Sequence, residues 1–222
     1  MLISFGRKQK RVDGVLAGLS IPPAGGGSES QRQTCLLDLR SAAAFRSGFV
    51  PGSYSVPDAD SLEAAATAGL FDQRSVYLLA DSDDQLAMCA DDDCFGPSAS
   101  LEGWFSTDAL DEWQMHKKKL GTLEAITRAT LSVRMAAWNT VALRVLDNSL
   151  AVPGAPSDAL TFRFPALRAS LDGLPTESSL CVICRTNELA SFATSLLWNF
   201  GFHKAAYLSN QPVAEPHTYP EC

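Results

Sequence analysis

Histidine is scarce in this sequence: the three residues, at 116, 203 and 217, are too scattered to build a histidine-based metal centre. Basic residues are also in short supply, with 18 Lys and Arg against 25 Asp and Glu and a formal net charge of −7. Nucleic acid and anionic membrane surfaces both require a basic face, so neither is expected as a partner. The one basic cluster, Lys117, Lys118 and Lys119 after His116, reads as a solvated connector. No apolar run approaches the roughly 20 residues of a membrane span, and "MLISFGRKQKRVDG" has too short an apolar run for a secretory signal. Six cysteines are too sparse for a disulfide scaffold in a chain of this length, which fits a reducing compartment. The expected location is the cytoplasm.

What the sequence does contain is enough apolar content, 46%, for one large domain or two small ones. The Gly/Ser/Pro-rich stretch "IPPAGGGSESQRQ" (21–33) separates a short leading segment from the first patterned region, and the polar "MHKKKLG" (115–121) separates that region from a second. The expected organisation is a leading segment and linker over 1–33, one module over 34–118 and another over 119–222. "CLLDLR" and "SVYLLA" (75–80) read as buried parallel strands, with a helix over the Ala-rich 61–70 between them. In the second half, Phe164, Leu167, Leu171 and Leu174 recur at helical spacing. "SLCVIC" follows as a strand, "ELASFATSLLWNFGF" as a helix ended by Gly201 with Phe192, Leu196, Leu197 and Phe200 along one face, and "AAYLS" as the next strand. This alternation predicts an α/β fold with mainly parallel sheets flanked by helices.

Cys184 closes the predicted strand "SLCVIC", and the next helix is expected to begin near Glu188 or Leu189, with "RTNE" making a tight turn between them. The carboxyl ends of parallel strands are where α/β proteins bind ligands, and a helix N-terminus favours an anion. A thiolate there gains nucleophilicity, and Arg185 adds positive charge. Asn187 suits a left-handed turn position. Buried cysteine is also common and inert, so from the residues alone Cys184 is either a structural thiol or a nucleophile. Cys181 lies on the same strand and reads as a packing residue, and the carboxylates of "CADDDC" (89–94) are explained as a solvated face.

The stretch "LLDLRSAAAFRSGFVPGSYSVP" (36–57) resembles the opening motif of rhodanese domains, with Asp38, Arg40, Phe45, Gly48, Pro51, Gly52 and Ser53 in the corresponding places. "LDGLPTESSLCVICRTNELASFATSLLWNFGFHKAAYLS" (171–209) resembles the family's catalytic segment: a strand ending in the active-site cysteine, a loop of about six residues, a helix, a Gly-Phe stop and a strand. "CFG" (94–96) and "LEGWFSTDALDEW" (101–113) are similar to the closing features of a module. The chain therefore resembles a tandem rhodanese. The first module has Ala80 and Asp81 where its cysteine would stand, so the resemblance implies a silent first module and an active second one. For the second opening motif, "LSVRMAAWN" (131–139) is the preferred match, with Ser132 in place of the usual Asp, Arg134 and Trp138 retained, and "VPGAP" (152–156) as the turn. "VLDNS" (145–149) is the alternative register.

The implied activity is sulfur transfer through a Cys184 persulfide. The donor would be a small anionic sulfur compound such as thiosulfate or a persulfide, and the acceptor a thiol or a protein. Arg185, Thr186, Asn187, Glu188, Leu189 and Arg134 would bind the donor, and neither cofactor nor metal is implied. The loop departs from the family pattern where Asn187 replaces a glycine and Leu189 an Arg or Thr, and Glu188 adds negative charge. These departures leave room for a non-catalytic rhodanese-like module with a regulatory or protein-interaction role. Phosphatase chemistry is not expected, because position 190 is Ala where a Cys-x5-Arg loop needs Arg.

Overall fold

The computed structural model describes residues 11–12, 16–19, 21, 33–72, 74–89, 92–137, 140–146, 152, 155–174 and 178–209. The linker apart from residues 21 and 33, together with Trp138, residues 147–149, Pro153 and His217, lies outside the described residues.

The chain forms an α/β fold of two parallel sheets flanked by helices. The first sheet contains β1 (Gln33–Asp38), β2 (Tyr54–Ser55), β3 (Arg74–Ala80) and β4 (Ser100–Ser106), in the order β2-β1-β3-β4. Its connections carry α1 (Ala42–Ser47), α2 (Ala59–Thr67) and α3 (Asp83–Ala87), and α4 (Asp108–Met115) follows β4. The second sheet contains β5 (Glu124–Ile126), β6 (Thr140–Leu146), β7 (Leu160–Arg163), β8 (Ser179–Ile183) and β9 (Ala205–Leu208), in the order β5-β9-β8-β6-β7. Its helices are α5 (Arg128–Ala137), α6 (Phe164–Ala169) and α7 (Asn187–Asn199). Arg11 makes a parallel bridge to Trp104 on the open side of β4. With Arg11 counted as the start of a strand, the two sheets share one topology, and β3 in the first occupies the place of β8 in the second.

Local chemistry explains most of the element ends. Asp58 and Ser61 form a reciprocal capping box at the start of α2. Gly201, at φ +95°, stops α7. The N–H of Phe202 donates to the Leu197 carbonyl at 3.1 Å and that of Gly201 to Trp198 at 3.1 Å, a Schellman ending in which both Leu197 and Phe202 are buried. The helix expected over 163–174 is interrupted: α6 ends at Ala169 and a 3-10 turn covers Leu171–Gly173, although Phe164, Leu167, Leu171 and Leu174 are all buried as their spacing predicted.

One expectation is corrected outright. Residues 131–137 of the expected opening motif form no strand, because α5 runs through Arg128–Ala137; residues 138 and 139 lie outside the described residues. Thr127 Oγ1 accepts the N–H of Thr130 at 3.2 Å and caps a segment of good helix formers. The strand in that place is β6, whose pairing with β8 (Leu143 beside Val182) matches that of β1 with β3 (Leu37 beside Leu78), so that Arg144 holds the place of Asp38; residues 147–149 of the alternative register lie outside the described residues.

The largest hydrophobic cluster spans both sheets. Helix α7 lies at its centre, packed against β8 and β9 of its own sheet and against α1, α2 and β2 of the other. Ten of its thirteen residues are buried, so it is enclosed on all sides rather than along the single face its apolar spacing predicted. Ser191, Ser195 and Asn199, four residues apart, form a polar stripe towards β2. Ser191 Oγ donates to Ser55 Oγ at 2.8 Å, the Ser55 N–H donates to Ser195 Oγ at 3.1 Å, and Asn199 Nδ2 donates to the Ser53 carbonyl at 2.9 Å. At the same junction Phe49 meets Trp198 edge-on, with ring centroids 5.2 Å apart. Phe49 also pairs its backbone with Gly121, where a Cβ would come within 2.5 Å of the ring.

Candidate functional site

Cys184 is the first residue beyond β8, as the apolar run predicted, and it is 2% exposed. Side chains alternate along β8, so Cys184, Val182 and Leu180 face the core shared with α7, whereas Cys181 and Ile183 face a separate cluster with Leu131 of α5. The two cysteines of the C-x-x-C therefore lie on opposite faces of the second sheet.

The connection from Cys184 to α7 is tighter than the resemblance implies. Only Arg185 and Thr186 intervene, because α7 starts at Asn187. Thr186 is the cap: it is extended, at φ −122° and ψ 161°, and its Oγ1 accepts the Leu189 N–H at 3.2 Å. Asn187 is the first helical residue, and Lys117 is the one non-glycine residue with positive φ among the described residues, so the left-handed turn expected at Asn187 is not formed. Of the N–H groups expected to face an anion, that of Leu189 is engaged by its own cap.

Arg185 is exposed and reaches across to the first half of the chain, where its Nη2 meets Asp60 Oδ2 in the first turn of α2 at 2.7 Å. Glu188 is partly buried in the first turn of α7, where an acidic side chain favours the helix dipole. It shares its surroundings with Tyr207 at the end of β9. Burial pushes the Tyr207 phenol up, the Arg46 guanidinium from α1 lowers it through charge and a hydrogen bond, and Glu188 raises it further. Near the start of α7, Arg185 thus meets Asp60 of the first half, and Glu188 and Arg46 both act on Tyr207.

Arg134 is not among them. It lies on α5 with both terminal nitrogens on the Glu124 carboxylate, and its charge acts on Cys181, on the face of the sheet away from Cys184. Sequence reasoning missed Asp60 and Arg46, because neither stands within a recognisable motif spacing of Cys184.

The other buried thiols have different surroundings. Burial pushes Cys35 up to about 11 despite Arg74 beside it, and pushes Cys89 and Cys181 up to about 12. All three are protonated at neutral pH and poor nucleophiles. At the place in the first sheet that matches Cys184, β3 ends in Ala80, and the N–H of Asp81 donates to Gln85 Oε1 at 2.7 Å. At the end of β1, Asp38 and Arg40 form a buried two-bond ion pair at 2.9 and 2.6 Å, and Arg40 also donates to the Gly48 carbonyl at 2.7 Å. Among the described residues, no cluster of His, Cys, Asp and Glu could hold a metal, and no helix is long and apolar enough to cross a membrane.

No protein-family model matches the chain, and no curated protein matches it. Among solved structures it is similar to a thiosulfate sulfurtransferase from Pseudomonas aeruginosa, at 18% identity and a TM-score of 0.35, over 80% of this chain and 35% of that one. At that distance the likeness carries no argument about activity.

Proposed function

We propose that the chain is a sulfurtransferase of two rhodanese-like modules, 34–118 and 119–222, in which Cys184 carries the transferred sulfur. The observation that supports this most directly is the position of Cys184: beyond the carboxyl end of a parallel strand, two residues before a thirteen-residue helix, at the junction with the other half. The positive end of the helix dipole favours a thiolate over a thiol. Arg185, Thr186, Asn187, Glu188 and Leu189 form the wall past which a donor would approach, and Arg134 has no part in it.

In the reaction, the Cys184 thiolate attacks the outer sulfur of the donor. A new S–S bond forms, the donor S–S bond breaks, and its electron pair leaves on sulfite or on a thiolate. Cys184 is left as a persulfide with no net oxidation or reduction. The acceptor thiol then takes the sulfur by the same exchange in reverse. No cofactor or metal enters this scheme, and its setting is cytoplasmic.

A second reading is favoured by one observation: Cys184 is 2% exposed, and the mouth beside it is spanned by the Arg185–Asp60 pair, as suits a module whose role is to hold a partner. Intact-mass measurement after incubation with thiosulfate or polysulfide separates the two. A gain of one sulfur atom that is absent from Cys184→Ser is the expected result. A wild-type protein that gains nothing from either donor would leave the non-catalytic reading standing.

A further inference from the structure

The charges around Cys184 are balanced in a way that a site for a dianion is not. Arg185 is the charged side chain next to the sulfur in sequence, and Asp60, 125 positions earlier in the chain, holds its guanidinium at 2.7 Å. Glu188 adds a carboxylate three residues further along. Arg46 of α1 is hydrogen-bonded to Tyr207, on which Glu188 also acts. The Arg185 and Asp60 side chains are 44% and 51% exposed, so an incoming anion can compete with Asp60 for the guanidinium without unpacking the core.

We propose that Asp60 determines donor selectivity at Cys184. By occupying Arg185 it removes the positive charge that would draw in thiosulfate, and so directs the site to a donor of at most one negative charge, an alkyl persulfide. This rests on the sulfurtransferase reading of Cys184. With an alkyl persulfide R–S–SH, the Cys184 thiolate takes the outer sulfur with its hydrogen, the donor's S–S bond breaks, and its electron pair leaves on the thiolate R–S⁻. The charge at the mouth is the same before and after. With thiosulfate, two negative charges must approach past Asp60 and Glu188, and sulfite must leave the same way. Asp60 touches neither donor nor sulfur. It acts through Arg185 and is a positioning residue supplied by the other half of the chain.

The test is the ratio of Cys184 loading rates with thiosulfate and with an alkyl persulfide, followed by intact mass at low and high salt. Asp60→Asn should raise that ratio about fivefold at low ionic strength, and the gain should shrink as salt is added. Asp60→Glu, which keeps the charge, should restore the ratio to about that of the wild type. In an Arg185→Ala background Asp60→Asn should have no further effect on the ratio, a dependence that loss of packing would not produce. Loading by both donors at a ratio indifferent to Asp60→Asn would overturn the assignment of Asp60 and leave the sulfurtransferase reading intact. Loading by neither donor in the wild type would overturn both.

Discussion

The ends of β3 and β8 hold the same place in two sheets of the same topology, yet one ends in Ala80–Asp81 and the other leads into Cys184 and Arg185. The difference extends beyond one side chain. After β8 comes a helix of thirteen residues capped by Thr186; after β3 comes one of five, with no side-chain bond from its cap residue Ser82 and with Asp83 and Asp84 in its first turn. Those two carboxylates occupy the positive end of the short helix themselves. The longer helix carries one carboxylate in its first turn, Glu188, and the shorter one two.

The largest effect expected from breaking this comparison is on sulfur loading. Cys184→Ser should abolish it, and Ala80→Cys in that background should not restore it, because the thiol would then face Asp81, Asp83 and Asp84 rather than the start of a long helix. Intact mass after thiosulfate or polysulfide reads both. Loading of Ala80→Cys would show that the thiol alone separates the two junctions.

A second contrast lies between the ion pairs. Asp38 and Arg40 have side chains 0% and 8% exposed, whereas Arg134 and Glu124 are 32% and 53% exposed. Arg40→Ala leaves a buried carboxylate unpaired and should cost about 3–5 kcal/mol by urea denaturation. Arg134→Ala should cost less than about 1 kcal/mol.

The buried thiols set a pH dependence. Cys35 in the first sheet and Cys181 in the second are raised from 9.0 to about 11 and about 12. Above the ordinary value the unfolded thiol loses its proton while the folded one keeps it, so this contribution is complete below that value and is lost as pH climbs through the folded one. Stability should fall by about 1.4 kcal/mol per pH unit for each such thiol. Cys181→Ala should flatten the slope by one thiol's share and lose the Arg134 partner as well, and urea midpoints on either side of pH 9.0 check this.

The smallest expected effect is at Glu188. Glu188→Gln should raise thiosulfate loading about threefold at low salt, less than Asp60→Asn, because Glu188 does not hold the arginine directly. No change would assign Glu188 wholly to the first helical turn of α7.

Four of the nine described strands, β1, β3, β8 and β9, were legible because buried parallel strands write themselves as short apolar runs, and Cys184 at the end of one was legible for the same reason. Segment 131–139 misled because Arg134 and Trp138 stand at the motif's spacing, although the segment does not follow the motif's strand. Only Leu131 of α5 is buried, and Val133 is 64% exposed on its outer side. The cap at Thr127 was the better signal. The start of α7 was misplaced because a threonine cap at 186 was read as part of a turn. Asp60 could not be found from the sequence at all. Its meeting with Arg185 depends on how two sheets pack around one helix, and no local pattern encodes that.

Helix α7 makes each half of the chain depend on the other. Its inner surface belongs to β8 and β9, and its outer surface, with Ser191, Ser195 and Asn199, is matched to β2. Deleting the half that has no cysteine at its strand end would strip this helix on one side and leave Phe192 and its neighbours without a wall, and losing a core aromatic of that kind costs about 3–5 kcal/mol. A substitution at Ser53 or Ser55 is therefore felt by a helix more than 120 positions away, and one at Asp60 by Arg185 just before that helix.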